Sequence, residues 1–250
     1  MLDAIPTDEC SAFDNAVTTL SAFFGWCLGR DIIKALPIAG IKKNEYHPRH
    51  RTLNDAEIKT IWDACDSLEV NRAFAALIRL LILTGARRCE ISDLQWSEID
   101  FDARTMTIPG NRTKNGLPLT IYLTNAMLGV LRELPRFKNS PWVITSDGRA
   151  AVSGFANFKA KLDKATGQMV HWTLHDTRRT ISAGCARLGV AQQTVERILN
   201  HKSDSFAGIV GVYQTHNFAA EMRAGWERWS DHVAAVVTGK SSNVVSIRRA

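Results

Sequence analysis

Apolar positions in this chain recur with a helical period on both sides of one stretch in which they alternate. Asp14–Cys27 forms one amphipathic block, followed by Gly29, Pro37 and Gly40 and by the basic, proline-containing run Lys42–Arg51, which reads as a linker. Asn54-x-x-Glu57 has the form of a capping box, and Ile58, Ile61, Trp62 and Cys65 follow at i, i+3, i+4 and i+7. A helix with one buried face therefore starts there, and a second domain begins near Thr52. A more apolar helix is predicted over Ala73–Leu83, ending at Gly85, with a short helix after it that carries Arg87, Glu90, Ile91 and Leu94.

Between Ser97 and Leu123 the helical period gives way to short alternating runs, Thr105–Ile108 and Leu117–Leu123, separated by Asn115-Gly116. Asn-Gly between such runs is a strong hairpin signal, so a small antiparallel sheet is expected between helices. Helices are then predicted over Asn125–Leu134, stopped by Pro135, and over Gly154–Ala165, ended by Gly167, with a strand-like Trp142-Val143-Ile144 between them. Two more, Leu174–Leu188 and Ala191–Leu199, flank Gly189, and a last one covers Phe218–Val237 before a polar, basic tail that reads as disordered. The class is α+β, mainly α-helical.

Composition narrows this only a little. Lys and Arg outnumber Asp and Glu by 31 to 25, which favours an anionic partner and puts nucleic acid first. The five cysteines (Cys10, Cys27, Cys65, Cys89, Cys185) are scattered without a C-x-x-C pair, so buried reduced thiols are expected rather than disulfides or zinc. The most apolar stretch, Ala16–Leu28, is too short to span a bilayer, and no export signal is read at the N-terminus. A cytoplasmic protein with no membrane contact is expected.

Four boxes carry candidate chemistry. Thr84-Gly85-Ala86-Arg87-Arg88-Cys89-Glu90 places an arginine after a helix-ending glycine, with an acid three residues on that could hold it. His175-Asp176-Thr177-Arg178 opens a helix with His175 and Arg178 one turn apart on one face. Lys114 stands in the Thr113-Lys114-Asn115-Gly116 hairpin tip, and Leu199-Asn200-His201 precedes Val212-Tyr213-Gln214-Thr215-His216. Taken singly, each has a bland reading: a surface ion pair, a solvated pair on a helix, a turn lysine, a helix end with a core tyrosine.

Together and in this order, the boxes resemble the tyrosine recombinase (phage integrase) family. Its catalytic domain carries T-G-x-R-x-x-E, a lysine in a β-hairpin, H-x-x-R, a second His or Trp, and a nucleophilic Tyr. The resemblance covers about Thr52–Val237, and Glu196–His201 with Gly211-Val212-Tyr213 looks most like prophage-encoded integrases. It implies a largely helical catalytic fold with a small three-stranded antiparallel sheet. It also implies that Arg87, Arg178 and His201 donate to a scissile phosphate, that Lys114 protonates the leaving 5′ oxygen, that His175 assists proton transfer, and that Glu90 supports the arginine helix. Guanidinium groups suit the task, because they match phosphate oxygens bidentately and stay charged at working pH.

The nucleophile can also be argued by elimination. Of three tyrosines, Tyr46 lies in the linker and Tyr122 alternates within a strand, which leaves Tyr213 beside a charged box. A phenol with a pKa near 10 needs neighbouring cations to become a nucleophile. The implied activity is site-specific recombination of double-stranded DNA through a 3′-phosphotyrosine, needing neither metal nor cofactor. Self-association as a tetramer through the C-terminal helix is implied too, although the apolar stripe Phe218, Met222, Trp226, Trp229 and Val233 serves equally well for packing on its own domain.

Relatives precede the catalytic domain with a helical core-binding domain. Residues 1–51 therefore read as the truncated end of such a domain plus its linker, 52–237 as the catalytic domain and 238–250 as the tail. Thr177 and Asn200 stand where the family commonly has Leu and Gly. The competing readings are a non-catalytic helix-turn-helix DNA-binding module over Leu174–Leu199, a type IB topoisomerase, and an inactive integrase remnant.

Overall fold

In a computed structural model the chain is described over residues 10–44, 50–67, 71–201 and 217–239. The chain divides into two compact units, Met1–Arg49 and His50–Ala250. In the first, α1 (Cys10–Leu28) is longer at its start than its apolar period indicates. The backbone N–H and side-chain amide of Asn44 both donate to Asp14 Oδ1, at 2.9 and 3.2 Å, and tie the returning chain to that helix.

The second unit runs through α2 (Asp55–Ala64), α3 (Arg72–Thr84), α4 (Arg88–Ser92), β1 (Ile99–Asp100), β2 (Thr105–Ile108), β3 (Leu119–Tyr122), α5 (Asn125–Arg132), α6 (Phe155–Thr166), α7 (Asp176–Arg187), α8 (Gln192–Ile198) and α9 (Ala219–Thr238). The capping box forms as expected: Glu57 N–H donates to Asn54 Oδ1 and Asn54 N–H to Glu57 Oε2, each at 2.9 Å. This satisfies two of the amide groups that a helix start leaves without partners.

At the centre lies α3, buried at eleven of its thirteen residues and packed against α4, α5, α7 and α9. A helix apolar all round must be enclosed by others. It ends at Gly85, whose φ of +68° disfavours a side chain and where an added Cβ would sit 2.4 Å from Ile181 Cγ2. The chain therefore turns sharply into Ala86 and Arg87 with α7 directly alongside.

The sheet is antiparallel in the order β1-β2-β3, with Met106 opposite Ile121 and Ile108 opposite Leu119. Those four side chains are buried, while Thr107 and Thr120 pair on the exposed face with their hydroxyls 3.2 Å apart. Two expectations need correction. Trp142-Val143-Ile144 is not a strand: Trp142 makes one isolated bridge to Gln95, and the next two residues are held by single bonds, Val143 N–H to Leu94 O and Ile144 O from Val152 N–H. A short run between Pro141 and the Ser146-Asp147-Gly148 turn has no neighbour to form a ladder with. The predicted Leu117–Leu123 strand is also shorter, because the Leu117 carbonyl is engaged by the Thr113 hydroxyl at 2.7 Å instead of a ladder partner. Asn115-Gly116 thus lies inside a ten-residue connection, 109–118, rather than forming a two-residue turn.

The apolar stripe of α9 is used within its own unit. Trp226, Trp229 and Val233 are buried, and the two indole N–H groups donate to the carbonyls of Thr84 at 3.1 Å and Ile82 at 2.7 Å. Those carbonyls belong to the last turn of α3, where no helical partner exists. Gly184 on α7 makes room, since a Cβ there would fall 2.2 Å from the Trp229 ring. Cys27, Cys65 and Cys185 are buried, whereas Cys89 is exposed, contrary to the expectation of buried thiols throughout. The predicted tail beyond residue 239 lies outside the described residues. No helix among the described residues is long and apolar enough to cross a membrane.

Candidate active site

Four separate segments deliver the chemistry: the turn after α3, the β2–β3 connection, the start of α7 and the end of α8. A cavity of about 720 Å³ is lined by Arg87, Lys114, His175 and Arg178 together. Arg88, Arg112 and Lys159 add charge to its wall, so six Arg or Lys side chains face two carboxylates, Glu90 and Asp163. That imbalance in a concave site favours an anion.

Arg87 occupies the N-cap of α4. Its backbone N–H donates to Glu90 Oε2 at 2.7 Å and its Nη1 to Oε1 at 2.9 Å, so one carboxylate both starts the helix and aims the guanidinium. Glu90 is 1% exposed and its pairing is not the ordinary surface contact that an R-x-x-E spacing usually means. Arg178 is nearly as deeply buried, at 4% exposure. Its Nη1 donates to Gly85 O at 2.7 Å and its Nη2 to Leu199 O, fastening α7 to the ends of both α3 and α8.

Burial pulls the Arg178 pKa down to about 10, with repulsion from Arg87 acting in the same direction and Glu90 and Glu196 opposing it. The group stays charged at neutral pH. The two guanidiniums repel each other, and an anion placed between them would relieve that repulsion.

His175 stands at the exposed N-cap position of α7 without a side-chain capping bond, and its turn is anchored by Asp176, which is fully buried. Asp176 Oδ2 accepts from the Thr173 N–H at 2.8 Å and its Oδ1 from Arg179 Nη1 at 2.7 Å. Partial burial, then Arg179 and Arg178, lower the His175 pKa, so the imidazole is neutral and able to accept a proton at neutral pH. His201 is exposed, with Nδ1 2.8 Å from Glu196 Oε2. Its pKa is lowered by burial and by Arg178, against the opposing pull of Glu196. Lys114 is exposed, and among the described residues it has no carboxylate partner.

The structure therefore gathers Arg87, Glu90, Lys114, His175 and Arg178 at one cavity, with His201 at the neighbouring end of α8. Tyr213 and His216 lie outside the described residues. Asn115 was read from the sequence only as a turn residue, yet its amide bonds to Asn200, 85 residues away in the chain. Nothing in the local pattern signals that contact. Among the described residues no group of three His, Cys, Asp or Glu side chains is placed to hold a metal ion.

Comparison with solved structures matches the architecture. A lambda integrase dimer bound to a COC′ core site aligns at a TM-score of 0.60 and 20% identity, over 81% of each chain. An integrase from mycobacterium phage Brujita aligns at 0.56 and 17%, over 94% of this chain and 80% of that one. At these identities the likeness establishes the fold, an integrase-type helical domain with a small antiparallel sheet. In sequence, prophage integrase IntF of Escherichia coli strain K12 is 27% identical over 180 residues, 71% of this chain and 37% of that protein. The chain spans between about one third and two thirds of the length of the curated relatives it matches. Residues 51–219 match the family model described as the phage integrase family, and that stretch takes in every one of the boxes that meet around the cavity: the chain belongs to the phage integrase family.

Proposed function

We propose that this chain is the catalytic part of a site-specific DNA recombinase, an integrase that breaks and rejoins double-stranded DNA through a 3′-phosphotyrosine at Tyr213. In this reading residues 52–237 are the catalytic domain, and 1–51 are the end of a core-binding domain with its linker. The observation that carries the proposal is the convergence of Arg87, Arg178, Lys114 and His175 on one cavity with excess positive charge.

The scissile phosphate would sit between the guanidiniums of Arg87 and Arg178, with His201 as a third donor. Fixed donors of this kind stabilise the charge that builds on a five-coordinate phosphorus without having to reorganise. The Tyr213 oxygen attacks phosphorus and the bond to the 5′ oxygen breaks. The phenol proton passes towards neutral His175, and the leaving oxygen takes a proton from Lys114, whose flexible stem suits that task. The phosphodiester is exchanged for a phosphotyrosine, so a 5′ hydroxyl from another strand can reverse the step. Action on an integrated element places the protein in the bacterial cytoplasm.

Self-association belongs to the same reading, since a lambda integrase tetramer bound to a Holliday junction is among the structural neighbours. A role for α9 in it falls to the outward face, where Ala220, Arg223 and Glu227 are exposed, because the tryptophan face is occupied.

A pool of nicked duplexes of randomised sequence tests the proposal. Wild-type protein should form an SDS-resistant adduct with DNA and Tyr213→Phe none. If neither forms it, the recombinase reading fails in favour of a binding module or an inert remnant. Adducts with no common sequence among them would point to a topoisomerase instead.

A further inference from the structure

The β2–β3 connection that carries Lys114 is tied to the rest of the molecule at two places. At its base Arg112 donates to Asp93 O and to Glu98 Oε2, both at 2.6 Å. At its tip Asn115 Nδ2 donates to Asn200 Oδ1 at 2.8 Å and to Asn200 O at 3.0 Å. Asn200 answers through its own amide, donating to Asn115 Oδ1 and to Leu117 O, each at 3.3 Å. Paired amides of this kind satisfy each other's donors and acceptors at once.

Asn200 stands where site contacts converge. Its carbonyl is 3.5 Å from Arg87 Nη2, the preceding carbonyl of Leu199 receives Arg178, and the following residue is His201. Its φ of +46° is a left-handed conformation that asparagine and glycine tolerate best, and a glycine would supply the turn without the amide. The side chain therefore does something the backbone turn does not require. Lys114 is the residue next to Asn115, exposed and without a carboxylate partner among the described residues, so its reach to a leaving oxygen depends on where the loop tip is held. A general acid has to come within about 3 Å of that oxygen.

We propose that the Asn115–Asn200 amide pair is a positioning clasp that docks the Lys114 loop against the end of α8 and so sets the general acid relative to the two arginines. This rests on the recombinase reading above and on Lys114 as the acid. In this role the two asparagines act through Lys114, not on the reacting atoms themselves.

A sulfur substitution tests it. Replacing the bridging 5′ oxygen of the cleaved duplex by sulfur creates a leaving group that departs as a thiolate, with a pKa of about 8.5 for an alkyl thiol such as cysteine, and needs no proton donor. Rates of adduct formation are compared on the oxygen and sulfur duplexes for wild type, Lys114→Ala, Asn200→Gly and Asn115→Ala. Thermal melting checks that each variant folds.

On oxygen, both clasp variants should be at least about tenfold slow, a share of the roughly 10²–10⁴ that a general acid contributes. On sulfur, all three variants should return to within about threefold of wild type, an effect that general damage to the site cannot produce. Clasp variants as fast as wild type on oxygen, or equally slow on both duplexes while Lys114→Ala recovers, overturn the clasp and leave the recombinase reading standing. Failure of Lys114→Ala to recover removes the lysine assignment and the clasp with it. Absence of any wild-type adduct on either duplex fails the recombinase reading itself.

Discussion

Arg178 and Lys114 line the same cavity under opposite conditions. Arg178 is 4% exposed, bonded to two main-chain carbonyls and tied to three elements at once, while Lys114 is exposed on a ten-residue connection held by a base arginine and an amide pair at the tip. Under the proposed mechanism the difference follows from the role each would play. A group that stabilises charge works best when its dipoles and donors are already in place, and a group that hands over a proton must approach one oxygen and withdraw. Stability and activity should therefore separate at Lys114 and coincide at Arg178.

The largest expected effect is at Arg178. Replacing it with Ala leaves the carbonyls of Gly85 and Leu199 without their donors and opens a space between α3, α7 and α8. Adduct formation should fall roughly 10³-fold or more, and unfolding in urea should show a loss of about 2–4 kcal/mol. A variant that lost activity and kept wild-type stability would break the contrast. Lys114→Ala comes next, with cleavage down roughly 10²-fold and stability unchanged within about 0.5 kcal/mol. A substantial loss of stability there would mean that the loop is structural.

Glu90→Gln probes the intermediate case, a buried carboxylate under a partly exposed arginine. It keeps the shape but removes the charge that aims Arg87, and should cost about 1–3 kcal/mol and roughly tenfold in adduct rate. If the rate is unaffected, Arg87 is held by its phosphate rather than by Glu90. The smallest effect is in pH. A free imidazole titrates at 6.5, and that of His175 is lowered by burial and by its arginine neighbours. The neutral base therefore persists below pH 6.5, and the rate should hold as pH falls through that value before it declines. For folding the sign is fixed in the same way. The unfolded chain takes up this proton first, so the contribution of His175 to stability is present above pH 6.5 and is lost as the solution is acidified past it. A half-maximal rate at or above pH 6.5 would show that His175 is not the group being titrated.

Much of this was legible along the chain. The capping box at Asn54 and Glu57, the end of α3 at Gly85, the breaks at Pro135, Gly167 and Gly189, and the alternation of β2 against β3 all depend on contacts within a few residues or on a two-residue period. The ordered boxes around Arg87, Lys114, His175 and Arg178 were equally visible, because each is a short run whose spacing is the signal. Trp142–Ile144 misled, since a β-like run carries no information on whether a partner strand exists. Cys89 misled for a similar reason: residue type predicts average burial, and the cavity beside Arg88 leaves this one thiol open.

The sequence alone settled the helical class, the family resemblance and the boxes that carry Arg87, Glu90, Lys114, His175 and Arg178, since periodicity and spacing are properties of nearby residues. Only the folded chain decided that Arg178 would be sealed between two helix ends, that Asn115 would meet Asn200, and that the tryptophans of α9 would close the last turn of α3. Each of those is a contact between segments far apart in the chain. Such contacts are chosen by how surfaces pack and by which unpaired backbone groups they satisfy, and no local pattern encodes that choice.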